Sequence, residues 1–315
     1  MEPLLTCGGD KLSLFPLKRP HLYKLFTESV EMFWSPGEVD AGTDKADYEG
    51  MSEGEQRFVR HVLGFFAVGD SLVIQNCLEQ FCGEVQDNSA RLFFAFQAGM
   101  EAIHSVVYNE LIETIITDQE QKEELFRANV TLPCVAEKTA WVQKHMDKHL
   151  SFARRLIAFL CLEGVMFQGS FACVFYIRKL NKMPGFTFAN EQISKDEAQH
   201  ARHLVALYKE LHHRLDRTLL IQIIDEAVEI ETRFITEAIP CRLLGINNEL
   251  MSQHIRYVAD YWLTELGEPK FYHCECPFGF METIALEAKS NFFEKRVAEY
   301  KTPIDKGAFE ISDDF

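Results

Sequence analysis

Apolar residues recur at three-and-four spacing along most of the chain, with few internal glycines or prolines and no alternating runs bounded by hairpin turns. That pattern predicts helix throughout and no sheet. Ser52-x-x-Glu55 reads as a capping box ahead of the apolar run FVRHVLGFFAVGDSLVIQNCLEQF, so a helix opens there. The same spacing predicts helices over 88–117, 136–147 and 151–180. Met183-Pro184-Gly185 then interrupts the pattern, and helix resumes near Glu191 and runs to about His213. Further helices open at Asp216, near Asn247 and near Pro277, and no break is long enough for a linker between domains. The organisation expected is all-α: an irregular segment 1–20, one helical domain 21–298, and a flexible tail 299–315 that ends in acidic residues with a few isolated apolar ones.

At 315 residues, 47% hydrophobic and with 26 phenylalanines, the chain can bury a large core. Its net charge of -16 leaves no basic stripe to neutralise phosphates, which argues against nucleic acid and anionic membrane as partners. No uninterrupted apolar run reaches the roughly 18 residues of a membrane span, and the first residues lack the features of a signal peptide. The 9 cysteines stand at irregular spacings, with Cys161 and Cys173 inside apolar runs as buried thiols do, so an intracellular, cytoplasmic protein is expected.

The candidate chemistry lies in Glu-x-x-His, which places a carboxylate and an imidazole on one face of a helix, within reach of one ion. It occurs as Glu101/His104, Glu197/His200 and Glu210/His213, and any single instance is weak. The first two each follow a carboxylate set in an apolar helical run: Asp70 lies 31 residues before Glu101, and Glu163 lies 34 before Glu197. The third has Lys179 and Tyr176 at those offsets and sits in the polar stretch YKELHHRLDR, so it reads as a solvated helix end. Acids within FFAVGDSLVI and LIAFLCLEGVMF have little access to water, and burying them without partners costs several kcal/mol. Asp70, Glu101, His104, Glu163, Glu197 and His200 then converge from four helices, the arrangement that holds two iron or manganese ions in helical carboxylate bundles. One length needs checking: a helix from Glu163 to near Leu180 descends roughly 25 Å, whereas residue 190 to Glu197 climbs roughly 10 Å. The connection NKMPGFTFA must therefore return about 15 Å.

Tyr108 stands one turn past His104, roughly 5 to 7 Å from such a metal pair. An oxygen-activating metal at that distance can oxidise a tyrosine by one electron. With these residues in view, the chain closely resembles the small subunit of class I ribonucleotide reductase in its eukaryotic and large-virus form. The resemblance runs over roughly residues 15 to 315 and rests on FWSPGEVD, HVLGFFAVGDS, FQAGMEAIHSVVY, LEGVMFQGSFACVF, MPGFTFANEQISKDE and NFFEKRVAEY. It implies a ferritin-like helical bundle with extra flanking helices, and an oxidoreductase that serves deoxyribonucleotide synthesis. Asp70, Glu101 and His104 match the ligands of one iron, and Glu163, Glu197 and His200 those of the other. Tyr108 matches the radical-bearing tyrosine, and Phe167, Phe171 and Ile193 its shielding pocket. Trp34 and Asp196 match residues that carry the radical outward, and Tyr300 the tyrosine that relays it to a large catalytic subunit. Phe309 and Phe315, in the terminal FEISDDF, match the peptide that docks on that subunit. A homodimer reacting with dioxygen is implied as well. Lys195, Gln168 and Val106 depart from the family pattern at positions that bear on the surroundings of Tyr108.

Rival readings keep the same metal site for a small apolar substrate, as in related oxidases and desaturases, or for iron storage, as in ferritins. A helical scaffold without metal would leave six polar core groups unexplained. His273-Cys274-Glu275-Cys276 offers zinc only Cys-x-Cys and one histidine, with no second cluster.

Overall fold

The computed structural model describes residues 2–6, 13–238 and 247–278, and those up to Pro277 belong to one compact unit. The described elements are helical, and no strand occurs among them. In chain order they are α1 (Pro20–Glu31), α2 (Asp44–Glu49), α3 (Glu53–Asn76), α4 (Asn88–Ile115), α5 (Gln119–Phe126), α6 (Pro133–His145), α7 (Phe152–Gly164), α8 (Gln168–Lys179), α9 (Pro184–Glu210), α10 (Arg217–Ala238) and α11 (Asn248–Glu265), with a few single turns between them. Helices α3, α4, α7 and α9 form the central bundle: α3 packs on α4, α4 on α9, and α9 on α7. The remaining helices flank it.

Local chemistry fixes the ends of the bundle helices. The Ser52 side chain accepts the Glu55 N–H while Glu55 reaches back to the Ser52 N–H, so the predicted capping box is present. Asp87 opens α4 by accepting the N–H groups of Ser89 and Ala90, and its other oxygen is held by Arg19 at 2.9 Å. Beyond Asn76, α3 runs on through a π-helical stretch, Cys77–Phe81, and a last turn, Cys82–Glu84. The stretches Glu53–Glu84 and Phe152–Lys179 are long and apolar enough to suit a membrane, but 94% of the second one's most apolar window is buried against protein.

Two boundaries differ from the sequence expectation. The helix expected over 151–180 breaks at residues 165–167, which divides α7 from α8. Lys138 and Glu231 hold this break. Lys138 Nζ donates to the Met166 carbonyl at 2.7 Å, Glu231 accepts the Gly169 N–H at 2.9 Å, and the two side chains form a buried ion pair. The ammonium lies 3.7 Å from the ring centre of Phe65 and 3.6 Å from that of Phe234. A side chain at Gly169 would run into Ile235 and Glu231.

The second difference removes the length problem. Helix α9 begins at Pro184 rather than near Glu191, so most of the return toward Glu197 is made by helix. Proline suits a first helical position, which MPG read as an interruption conceals. The cap is remote: Asp47 accepts the Met183 N–H at 2.7 Å, and buried Asp44 accepts those of Gly185 and Phe186 at 3.0 and 2.6 Å. A side chain at Gly185 would strike the Asp40 carbonyl, so glycine allows the close approach that capping needs. Helices α1, α2 and α5 were not expected. Six residues are too few for a period in α2, and QEQKEELF of α5 has hardly an apolar face. The helix expected near Pro277, the tail and its Tyr300, Phe309 and Phe315 lie outside the described residues.

Replacing Lys138 by Met leaves the Glu231 carboxylate buried without its cation. Burial already pushes that carboxyl up to about 7. Lys138→Met is expected to lower stability by about 3–5 kcal/mol in urea unfolding, and Lys138→Met with Glu231→Gln to recover most of the loss.

Candidate metal centre

Each bundle helix sends carboxylates or imidazoles inward. Asp70 comes from α3, Glu101 and His104 from α4, Glu163 from α7, and Glu197 and His200 from α9. All six are at most 2% exposed. Donor atoms of Asp70, Glu101 and His104 lie within 4.8 Å of one another, as do those of Glu101, Glu163, Glu197 and His200. Glu101 belongs to both groups. The family resemblance assigns three of the six to each ion, and the Glu101 carboxylate lies within reach of both groups.

Both imidazoles present Nδ1 to the carboxylates. His104 Nδ1 is 3.2 Å from Glu101 and 3.5 Å from Glu197, and His200 Nδ1 is 3.0 Å from Glu101, 3.1 Å from Glu197 and 3.4 Å from Glu163. Burial disfavours the imidazolium, but hydrogen bonds to Asp196 and Glu101 on His104, and to Glu101, Glu163 and Glu197 on His200, hold both well above the ordinary histidine range. Burial and neighbouring carboxylates push Asp70 and Glu163 up as well. Burial also opposes the Glu197 carboxylate, yet hydrogen bonds from its neighbours outweigh it and hold Glu197 low. Protons thus do part of the work that a divalent cation would do here. Neither oxygen of Asp70 has a hydrogen-bond partner, and that buried carboxylate, facing a second carboxylate and an imidazole, is a fit for a hard cation with oxygen and nitrogen donors.

Residues around the cluster orient it. His104 Nε2 meets Asp196 Oδ2 at 2.9 Å, and Trp34 Nε1–H donates to the same oxygen at 2.7 Å, with the indole stacked at 5.9 Å on the imidazole. If His104 Nε2 carries the hydrogen, Nδ1 is left with its lone pair toward the carboxylates. Gln97, one turn before Glu101, donates to Glu163 at 3.1 Å. His203 is buried with its ring against Phe93 at 3.8 Å, and burial holds it neutral.

Tyr108 is fully buried, and burial with the nearby charge of Asp70 holds its phenol well above the ordinary tyrosine range. Its hydroxyl donates to Asn190 Oδ1 at 3.0 Å. Phe66 lies flat on it, ring centres 4.7 Å apart at 4°, and Phe167 and Phe171 pack on Phe66 at 5.5 and 5.4 Å. Ile193 is wholly buried on α9, one turn past Asn190. The sequence reading therefore placed Phe167 and Phe171 near the phenol but missed Phe66, Asn190 and Gln97. Spacing could have found them: Phe66 is one turn before Asp70, Gln97 one turn before Glu101, and Asn190 two turns before Glu197. Of the departures from the family pattern, Val106 is 46% exposed on the outer side of α4, and Lys195 pairs with Glu191 at 3.2 Å.

The remaining candidates stay apart. Glu210 closes α9 and binds Arg19, and His213 is exposed. Asp260 accepts the N–H groups of Phe271, Tyr272 and Cys274, which gives the segment around His273 a structural anchor. Among the described residues, the groups able to hold a metal are the two at the bundle centre.

The family model for the ribonucleotide reductase small chain matches residues 11–277. The chain belongs to this family. It is 43% identical over 300 residues to the ribonucleoside-diphosphate reductase small chain of Nicotiana tabacum, covering 95% of this chain and 91% of the relative. It is 42% identical over 301 residues to the small chain of vaccinia virus (strain Western Reserve), covering 96% and 94%. Among solved structures, the ribonucleotide reductase Rnr4 homodimer of Saccharomyces cerevisiae superposes with a TM-score of 0.80 at 28% identity, covering 95% and 92%. The eukaryotic and viral class, the helical fold and the oxidoreductase identity implied by the sequence resemblance are thereby borne out. Membership in the ribonucleotide reductase family also sets aside the iron-storage reading.

Like charges packed this closely work against the fold of the metal-free protein. Glu163→Gln is expected to raise its melting temperature, by the equivalent of about 1–3 kcal/mol, while removing most of the stabilisation that added Fe²⁺ or Mn²⁺ gives the wild type. Thermal melts with and without metal check both signs.

Proposed function

We propose that this chain is the radical-generating subunit of a ribonucleoside-diphosphate reductase, with two iron ions held between α3, α4, α7 and α9. Manganese is the other metal that the donor set suits. Asp70, Glu101 and His104 hold one ion and Glu163, Glu197 and His200 the other, with Glu101 placed to reach both. When bound and exposed to dioxygen, the metal pair supplies a one-electron oxidant. Tyr108 is the group oxidised. Its burial excludes water, and the Phe66, Phe167 and Phe171 rings with Ile193 keep small reductants from it. The observation that carries this reading is a fully buried tyrosine one turn beyond a histidine of the carboxylate cluster.

The hydrogen-bonded line from His104 through Asp196 to Trp34 supports an outward path for the electron and proton. We assign its continuation to Tyr300, and docking on a large subunit to Phe309 and Phe315, on the strength of the sequence resemblance. The nucleotide would then bind to the large partner. A homodimer is supported by the yeast relative and by the exposed small and apolar positions Ala95, Gly99, Ala102 and Val106 along the outer face of α4. A cytoplasmic location follows from the family reading.

Adding ferrous iron and oxygen to the metal-free protein is expected to produce a tyrosyl signal in electron paramagnetic resonance. Tyr108→Phe is expected to bind two metals per chain and give no such signal. A tyrosyl signal surviving in that variant overturns the assignment of Tyr108.

A further inference from the structure

Asn190 is wholly buried, and two contacts of opposite sense orient its amide. Nδ2 donates to the Phe186 carbonyl at 2.8 Å, one turn back on α9, and Oδ1 accepts from the Tyr108 hydroxyl at 3.0 Å. A backbone carbonyl can only accept, so turning the amide over would set oxygen against oxygen. The amide is thus locked with its acceptor toward the phenol. It is not a base, so it can receive a hydrogen bond from Tyr108 but not its proton.

We infer that Asn190 is the fixed acceptor that holds Tyr108 in its reduced, protonated form and offers nothing to the oxidised form. The inference rests on Tyr108 being the radical site. Forming the radical removes one electron from the ring, to the oxidised metal pair, and the hydroxyl proton, to the reduced dioxygen there. The phenoxyl oxygen left behind can only accept, and it faces Asn190 Oδ1, a second acceptor. The hydrogen bond therefore exists in one redox state alone. It favours the reduced state, and so it makes the radical a stronger oxidant and quicker to be quenched. Asn190 acts on the reacting oxygen of Tyr108 and on no metal.

The first test needs no metal. In the ultraviolet resonance Raman difference between wild-type and Tyr108→Phe protein, both metal-free, the Tyr108 bands should be those of a hydrogen-bond donor. That signature should be lost in Asn190→Leu and kept in Asn190→Asp, which retains an acceptor oxygen. In iron-loaded protein the radical of Asn190→Leu should outlast that of the wild type against hydroxylamine by about threefold to tenfold, the equivalent of one ordinary hydrogen bond. Asn190→Asp should stay near the wild-type lifetime. A wild-type Tyr108 that is not a donor overturns the inference even if every variant fails to fold, and so does an unchanged radical lifetime in Asn190→Leu. If the wild type forms no radical at all, the assignment of Tyr108 falls and the redox role of Asn190 with it, whereas a radical that ignores Asn190 removes this inference alone.

Discussion

Six polar groups enclosed in an apolar bundle must neutralise one another or be neutralised by something else. Burial penalises every charge among Asp70, Glu101, His104, Glu163, Glu197 and His200, and water is too far away to relieve it. The carboxylates outnumber the imidazoles four to two, so the cluster cannot balance itself by pairing. Without metal, burial and mutual repulsion favour the neutral carboxyls of Asp70 and Glu163, and hydrogen bonds to carboxylates favour the imidazolium of His104 and His200. Two divalent cations would balance the cluster with more charge in less space. Much around the cluster follows from that demand, including the neutral His203 beside His200 and the amide of Gln97 placed against Glu163.

Position is supplied by helix rigidity and by a few anchors at helix ends. Helix α9 alone carries Asn190, Ile193, Asp196, Glu197 and His200, so its axial setting decides the phenol contact, the outer contact of His104 and two of the six ligands at once. That setting is fixed by α2, whose Asp44 and Asp47 hold the first N–H groups of α9 from about 140 residues earlier in the chain. The break between α7 and α8 serves a matching purpose. It lets Glu163 face the cluster from one helix while Phe167 and Phe171 turn toward Phe66 from the break and the next.

Most of the fold and the ligands could be read in the sequence because they are periodic. Asp70, Glu101, His104, Glu163, Glu197 and His200 stand out as polar residues inside apolar helical runs, and the repeated spacing tied them together before any contact was known. What escaped was non-local. The start of α9 hid behind Met183-Pro184-Gly185 because its capping carboxylates belong to α2, and the break after Gly164 hid because its anchors, Lys138 and Glu231, come from α6 and α10. Glu101 between both ligand groups, Phe66 on the phenol and Asn190 at its hydroxyl likewise depend on which helix faces which. Helical spacing gives the face of a residue but not its neighbour across the bundle.

Asp196 uses one oxygen, Oδ2, to receive both Trp34 and His104. A buried indole and an imidazole of the cluster therefore share a single atom as their junction. Charge withdrawn from the ring of His104 is felt at once by the indole, with no side chain having to move. Trp34 is thereby a built-in optical probe, whose emission should report what occupies the interior even in a molecule that is performing no chemistry.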